Sequence, residues 1–163
     1  MQDTIKRLRD KKDDEGFTLI ELLVVVVIIG VLVAIAVPVY LNYRQGAADK
    51  SAESDVRGGV SALEQFYTNN SNKYPADIAA TTGTNGKVAL PAIGSGSAGV
   101  ITVSDGTSIE YKNVGPDVSY ILCGNNANGT TGKVYIYNSA ATGSGSVKTS
   151  TQITLALCIS TGT

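Results

Sequence analysis

Few side chains in this sequence are suited to chemistry, and the types that are missing exclude most enzyme mechanisms. The 163 residues include no histidine, which removes the commonest general base and the usual metal ligand. The two cysteines, Cys123 and Cys158, lie far apart, and neither has a second cysteine close enough for a metal-binding or redox CxxC motif. We therefore predict a protein that is not an enzyme and has no catalytic residues, no cofactor and no metal site.

One carboxylate stands out by its surroundings. Glu21 is the only charged side chain between Phe17 and Leu41, where the sequence reads FTLIELLVVVVIIGVLVAIAVPVYL. An isolated carboxylate is costly inside a membrane, so intramembrane acids usually have a partner and a function. The alternative is a carboxylate near the membrane edge that reaches the headgroups or stays protonated.

The apolar run around Glu21 is long enough to cross a bilayer. At about 1.5 Å per helical residue, residues 22–41 span roughly 30 Å, the thickness of the hydrocarbon core. Basic residues lie before the run, whereas only Arg44 and Lys50 follow it closely, and this bias predicts a cytoplasmic N-terminus and an external C-terminal part. Because an external compartment permits disulfides, we predict a bond between Cys123 and Cys158, with two buried thiols as the alternative.

An ordinary secretory signal is a second interpretation of the same segment. It also has a basic start, an apolar core and small residues such as Ala34-Ile35-Ala36. Cleavage after Ala36 would release a soluble head. The length of the apolar run and the charge of Glu21 within it argue against this interpretation.

Beyond the span the helix is predicted to continue with one apolar face. Apolar side chains recur at spacings of three and four from Ala48 to Tyr67, whereas Asp49 and most other charged residues fall on other faces. The turn-forming sequence TNNSNKYP that follows should stop the helix near Tyr67. One helix is therefore predicted over residues 17–67.

The remaining chain predicts a β-rich head. Residues 76–99 have no sustained period and are predicted to form a long loop, with one short element at residues 87–90. Short β-branched and aromatic runs follow, separated by turn sequences such as Asp105-Gly106 and Asn128-Gly129. We predict an α+β fold with an antiparallel sheet of about four strands packed on the amphipathic half of the helix. The runs cover residues 100–103, 108–112, 118–123, 133–137 and 152–159.

The sequence Gly16-Phe17-Thr18-Leu19-Ile20-Glu21, with the apolar run after it, resembles the class III-type signal of type IV pilins and related pseudopilins. The shared features are a charged leader that ends in glycine, an aromatic first mature residue, a glutamate five places after the cut, and Pro38 inside the apolar span. The resemblance implies the type IV pilin fold, in which the hydrophobic half of a long helix protrudes and the amphipathic half packs on the sheet. It divides the chain into a leader (1–16), a transmembrane and filament-core helix (17–41), an amphipathic continuation (42–67) and an extracytoplasmic β-rich head (68–163).

The resemblance also implies roles for particular residues. A prepilin peptidase and methyltransferase would cut between Gly16 and Phe17 and methylate the new amine of Phe17. Glu21 of one subunit would then face the Phe17 amine of its neighbour and fix the axial register of the filament. Gly30 and Pro38 would mark a segment of the helix that is kinked or loosened.

Together these features predict the precursor of a structural subunit of a type IV pilus for adhesion, motility or DNA uptake. Its expected partners are further copies of itself in a helical filament, the prepilin peptidase, an inner-membrane assembly platform, and membrane lipid before assembly. The expected location is the membrane, with the N-terminus in the cytoplasm, and then the surface pilus. A net charge of −1 gives no reason to expect nucleic-acid binding by this chain. The alternatives are a pseudopilin or minor pilin of a type II secretion or competence machine and, in a different class, a membrane-anchored surface binding protein.

Overall fold

A computed structural model describes residues 17–115, 118–141 and 145–162, which fall into two compact units. The first unit ends at Tyr40 and the second begins at Leu41. Helix α1, Leu19–Asn69, supplies residues to both units. The predicted leader, residues 1–16 with the cleavage residue Gly16, lies outside the described residues.

The part of α1 in the first unit is almost uniformly apolar. Its most apolar 18-residue window has a mean hydropathy of 3.3, and none of that window is buried. By length and composition the helix could therefore cross a membrane. The predicted helix is confirmed, and it ends at Asn69, two residues later than the expected end at Tyr67.

The second unit contains seven strands and a short helix among its described residues. Five strands form one antiparallel sheet in the order β1-β4-β5-β6-β7, and β2 and β3 form a separate antiparallel hairpin. The predicted α+β class is thus confirmed. The strands are β1 Ile78–Thr81, β2 Lys87–Leu90, β3 Gly99–Thr102, β4 Thr107–Asn113, β5 Tyr120–Asn126, β6 Val134–Asn138 and β7 Lys148–Ser150, and the short helix is α2 Leu155–Thr161.

The last predicted strand is wrong, because residues 155–161 form helix α2. Thr154 caps the start of α2, since its side chain accepts a hydrogen bond from the Leu157 N–H, and Gly162 ends it in the left-handed conformation. Leu155, Cys158 and Ile159 are buried at helical spacing. The β-branched residues of this run suggested a strand, but the caps and the spacing of three and four define a helix.

The arrangement of the other strands also differs from the expected four-stranded sheet. The predicted element at residues 87–90 is confirmed as β2, but it pairs with β3 rather than joining the main sheet. Strands β1 and β7 were not predicted. Both are edge strands of three or four residues in sequences rich in alanine, serine and threonine, and such runs have little of the apolar alternation that marks a strand.

Helix α1 covers one face of the main sheet. Its buried residues recur at spacings of three and four from Asp49 to Phe66, as expected for a helix with one packed face. They pack against side chains of β4, β5 and β6 and against the β2–β3 hairpin, which together form the larger core. The fully buried members of this core include Val56, Leu63, Leu90, Ile101, Ile109, Tyr111, Tyr120 and Leu122.

Helix α2 covers the opposite face of the sheet. Its residues Leu155, Cys158 and Ile159 pack on Ile121, Cys123, Val134 and Ile136, whose side chains point away from α1 because strand residues alternate between faces. The sheet is therefore sandwiched between helices from the two ends of the described chain. Only the cover by α1 was expected from the sequence, because residues 152–159 were predicted to form a strand.

Two adjacent glycines of α1 have opposite surroundings. A Cβ atom at Gly59 would lie 2.8 Å from Leu122 Cδ2 and 3.3 Å from Ile101 Cγ2, whereas a Cβ atom at Gly58 would meet nothing within 4 Å. Gly59 thus allows the helix to approach the sheet and the hairpin closely. Gly58 has no such role within the second unit.

These surroundings predict opposite effects of alanine at the two positions. Gly58→Ala should raise the free energy of unfolding by about 0.5–1 kcal/mol, because alanine is the better helix former. Gly59→Ala should lower it by about 1 kcal/mol, because overpacking costs about 1–3 kcal/mol and exceeds the same helical gain. Chemical denaturation of both variants tests this pair of signs. A higher free energy of unfolding for Gly59→Ala would contradict this prediction, because it would show that the Leu122 side chain makes room for the added Cβ atom without cost.

Candidate functional site

The first turn of α1 contains the segment that the sequence analysis linked to assembly. The Thr18 N–H and the Thr18 hydroxyl both donate to Glu21 Oε2, over 2.9 Å and 2.6 Å, and the Glu21 N–H donates to Thr18 Oγ1 over 3.3 Å. These reciprocal bonds form a capping box, in which a threonine and a glutamate three residues later satisfy the first amides of a helix. Glu21 is thus held to the helix terminus by its own chain.

Apolar side chains surround this capping box. Phe17 is 80% exposed, and together with Ile20, Val24 and Val25 it lines a shallow concavity of about 400 Å³ that also includes Glu21. The exposed apolar surface continues along α1 to Tyr43. A surface of this size is unstable in water and has to be covered by lipid or by protein.

Gly30 and Pro38 both lie inside α1, as the sequence implied. A Cβ atom at Gly30 would meet nothing within 4 Å. The helix is assigned without a break across Pro38. Their roles in loosening this segment stay predictions.

The predicted disulfide is present and joins Cys123 of β5 to Cys158 of α2. The two Cα atoms are 6.4 Å apart, and both side chains are fully buried in the smaller core, which lies between α2 and the outer face of the sheet, the face away from α1. The bond therefore fastens α2 to the outer face of the sheet. The alternative of two buried free thiols is excluded by this bond.

A buried carboxylate joins α1 to the turn between β5 and β6. Asp49 accepts hydrogen bonds from the Thr130 N–H over 2.9 Å, from the Thr130 hydroxyl over 2.8 Å and from the Lys133 ammonium group over 2.9 Å. Gly129 lies so close to Asp49 that a Cβ atom there would collide with the carboxylate. The expectation that Asp49 lies on a polar face is wrong, because these donors make its burial possible.

The same contacts set the ionisation of Asp49. Burial opposes the charged form, but the bonds from Lys133 and Thr130 outweigh it and hold the Asp49 pKa below its ordinary value. A carboxyl group whose pKa is lower in the folded state stabilises the fold above its unfolded pKa, about 3.9, and this contribution is lost as the pH falls through the folded pKa.

Asp49→Asn should therefore lower the free energy of unfolding by about 1–3 kcal/mol at pH 7, since hydrogen bonds to a charged group are lost. The difference from the parent should start to shrink as the pH falls below about 3.9, the pKa of Asp49 in the unfolded chain, and should be lost once the pH falls through the lower pKa of the folded chain. Denaturant titrations from about pH 2 to about pH 7 measure both effects, because this range brackets the ordinary aspartate pKa of about 3.9. Asp105→Asn, at an exposed turn, is the matched control and should be nearly neutral. A difference that is independent of pH would contradict the assignment.

Tyrosine side chains surround a second carboxylate of α1. The Tyr120 hydroxyl donates to Glu64 Oε1 over 2.8 Å, and the Tyr74 hydroxyl is 3.3 Å from the same oxygen. Burial and then the Glu64 carboxylate raise the pKa of Tyr120 well above its usual range, and the same two causes raise the pKa of Tyr74 to about 12. Both hydroxyls therefore remain donors into alkaline solution; Tyr120 links α1 to β5, and Tyr74 links α1 to the segment that follows it.

The N-terminal segment resembles a known family of sequence motifs. A family model described as the prokaryotic N-terminal methylation motif matches residues 11–37. A type IV major pilin protein of Neisseria gonorrhoeae is 35% identical over 104 residues, which cover 61% of this chain and 49% of that protein. The resemblance to type IV prepilins is confirmed.

Two further relatives extend the prepilin resemblance. A fimbrial protein, EcpC, of Eikenella corrodens is 39% identical over 101 residues, which cover 58% of this chain and 64% of the relative. The type II secretion system core protein G of Aeromonas hydrophila is 37% identical over 65 residues, which cover 40% of this chain and 45% of the relative. The chain therefore spans about half to two thirds of the length of these curated relatives. No solved structure matches the chain significantly.

Proposed function

We propose that this chain is the precursor of a structural subunit of a type IV pilus, which packs its N-terminal helix against the helices of other copies in a surface filament. The observation that carries the proposal is Glu21, a carboxylate in the first turn of an exposed apolar helix, inside the segment that matches the N-terminal methylation motif. A helix that only anchored a head in lipid would have no need of this charge.

The proposal assigns a role to each part of the chain. Residues 1–16 are a leader that a prepilin peptidase removes after Gly16, and the same enzyme methylates the amine of Phe17. Residues 17–41 cross the membrane before assembly, with the N-terminus in the cytoplasm, and form the filament core afterwards. Residues 42–67 carry the extracytoplasmic head, residues 68–163. Adhesion, motility and DNA uptake are the functions that such a filament would serve.

Pairing of charges would direct the assembly. The Phe17 amine, released by cleavage, is a cation in an apolar surrounding, and the Glu21 carboxylate of a neighbouring copy is its natural partner. Contacts between apolar helices then replace contacts with lipid at little cost in hydrophobic free energy. An inner-membrane assembly platform would extract each copy from the bilayer and add it to the filament.

A pseudopilin of a type II secretion machine is the second candidate. The similarity to core protein G of Aeromonas hydrophila favours it specifically. Such a subunit shares the N-terminal processing and packing, so the site described here would act in the same way. The filament's length and its presence outside the cell distinguish the two candidates.

The intact mass of the chain in sheared surface filaments tests the proposal. We expect a chain that begins at Phe17 and is heavier than the unmodified sequence by one methyl group. Sequencing of the N-terminal peptide locates the methyl group on the Phe17 amine. A chain that begins at Met1 or Val37, or one that is absent from filaments, would overturn the proposal and leave an anchored or secreted binding domain.

A further inference from the structure

We propose that Asn85 is a site of spontaneous covalent modification, at which the side-chain amide is lost as ammonia and the head gains a carboxylate. The sequence contains two asparagine–glycine pairs, Asn85-Gly86 and Asn128-Gly129. The reaction uses water as its only co-reactant, and it goes beyond the proposed function because it does not depend on a filament. The structure favours it at the first pair and opposes it at the second.

The chemistry follows from the glycine that comes after the asparagine. The backbone nitrogen of Gly86 attacks Cγ of Asn85, so that a new C–N bond forms and the bond to the side-chain nitrogen breaks. Ammonia leaves with the proton that the Gly86 nitrogen gives up, and a cyclic imide remains. Water then opens the ring at either of its carbonyls and leaves aspartate or isoaspartate. Glycine permits the attack because it has no Cβ atom beside the nitrogen.

The first pair forms an exposed turn in front of β2. Asn85 and Gly86 are its two central residues, and both have positive φ, 52° and 70°. The flanking residues Thr84 and Lys87 exchange backbone hydrogen bonds of 2.9 Å and 3.1 Å, as in the hairpin turns that prefer asparagine and glycine. The Gly86 N–H donates to none of the described residues. The attacking nitrogen therefore has no hydrogen bond to break, and Asn85 is exposed to water.

The second pair has the same sequence but different surroundings. The Gly129 N–H donates to the Asn126 carbonyl over 3.0 Å, and the Asn128 N–H donates to the Asn126 side-chain oxygen over 2.9 Å. Gly129 is also buried, and a Cβ atom there would collide with Asp49. Ring formation at Asn128 would break the bond of the attacking nitrogen and displace a closely packed residue. The fold therefore protects Asn128 and leaves Asn85 open to the reaction.

The product changes the surface of the head in two ways. Each conversion replaces a neutral amide by a carboxylate, which takes the formal net charge from −1 to −2. Isoaspartate also inserts its side-chain methylene into the backbone, and the longer turn cannot keep both bonds between Thr84 and Lys87. The modification thus records the age of a chain and loosens the start of β2.

Peptide mapping by mass spectrometry tests the site. The full chain, purified in detergent, is aged in mildly alkaline buffer, which promotes loss of the amide proton from the attacking nitrogen. We expect Asn85 to convert at least about tenfold faster than Asn128, the factor that corresponds to a hydrogen bond of about 1.4 kcal/mol. In the chain unfolded with urea the two rates should agree within about twofold, because the fold no longer distinguishes the two pairs.

Two variants and a second measurement complete the test. Asn85→Gln should abolish the conversion, because glutamine would have to close a larger ring, whereas Asn128→Gln is the matched control and should leave the rate at Asn85 unchanged. In aged chains that contain isoaspartate, the amide of Lys87 should exchange with solvent faster than in fresh chains. Equal rates at the two pairs in the folded chain would overturn the inference. Conversion of Asn85 in urea but not in the folded chain would overturn it as well.

Discussion

Replacing Glu21 by glutamine is expected to abolish filaments while leaving the chain in the membrane. Glutamine keeps the length of the side chain and one oxygen acceptor, but it has no charge to pair with the Phe17 amine of a neighbour. In an apolar filament core an unpaired ammonium group is strongly unfavourable. We expect at least a hundredfold fewer sheared filaments, roughly the loss that follows from removing one partner of a buried charge pair.

The measurement compares sheared filaments with the membrane-bound chain in the same cells. Glu21→Asp is an informative second variant, because it keeps the charge on a shorter side chain and should restore part of the yield. Glu53→Gln is a matched control that removes the same charge from the amphipathic part of α1, where Glu53 forms ion pairs with Lys50 and Arg57 over 2.8 Å each. Filament yields at the parent level from Glu21→Gln would show that the carboxylate has no part in assembly.

The N-terminal segment was readable from the sequence because its signals are local. The length of the apolar run, the single charge of Glu21 and the motif that begins at Gly16 lie within a few turns of one another. Helix α1 followed from the same run and from the spacing of the residues that bury its inner face. Even the capping box has a sequence signature, a threonine three residues before a glutamate, although it was not used in the prediction.

The buried contacts of Asp49 were not readable in this way. Its partners Thr130 and Lys133 follow 81 and 84 residues later in the chain. Nothing in the local sequence distinguishes Asp49 from the exposed charges beside it on the helix. Only the folded arrangement shows that a turn of the sheet supplies the donors that its burial requires.

The C-terminal helix shows a different limit, because its local signals were in conflict. Thr154 and Gly162 are good helix caps, but the residues between them are partly β-branched and were predicted to form a strand. The conflict is resolved by packing. As a helix, this segment brings Cys158 to Cys123 and covers the outer face of the sheet, which a short strand at the edge would leave exposed.

Removing the disulfide should weaken the head more than the substitutions proposed above for Gly59 and Asp49. The bond joins residues that are 35 positions apart, and in the chain-entropy model a loop of that length contributes about 3–4 kcal/mol. The double variant Cys123→Ala, Cys158→Ala should therefore unfold with a Tm on the order of 10–15 °C lower than the parent. Alanine is preferred to serine because both positions are fully buried, where a hydroxyl without a partner would add its own cost.

The position of the bond predicts which part of the head loses stability first. Because the bond fastens α2 to β5, its removal should let the amides of α2 exchange with solvent faster than those of β4 and β5. Reduction of the parent chain should reproduce both the lower Tm and the faster exchange. Leu157→Ala is the matched control on the exposed side of α2, since Leu157 is 47% exposed, and it should change the free energy of unfolding by no more than about 0.5 kcal/mol. If the reduced chain keeps the parent's Tm, the apolar contacts of the smaller core hold α2 in place without the bond.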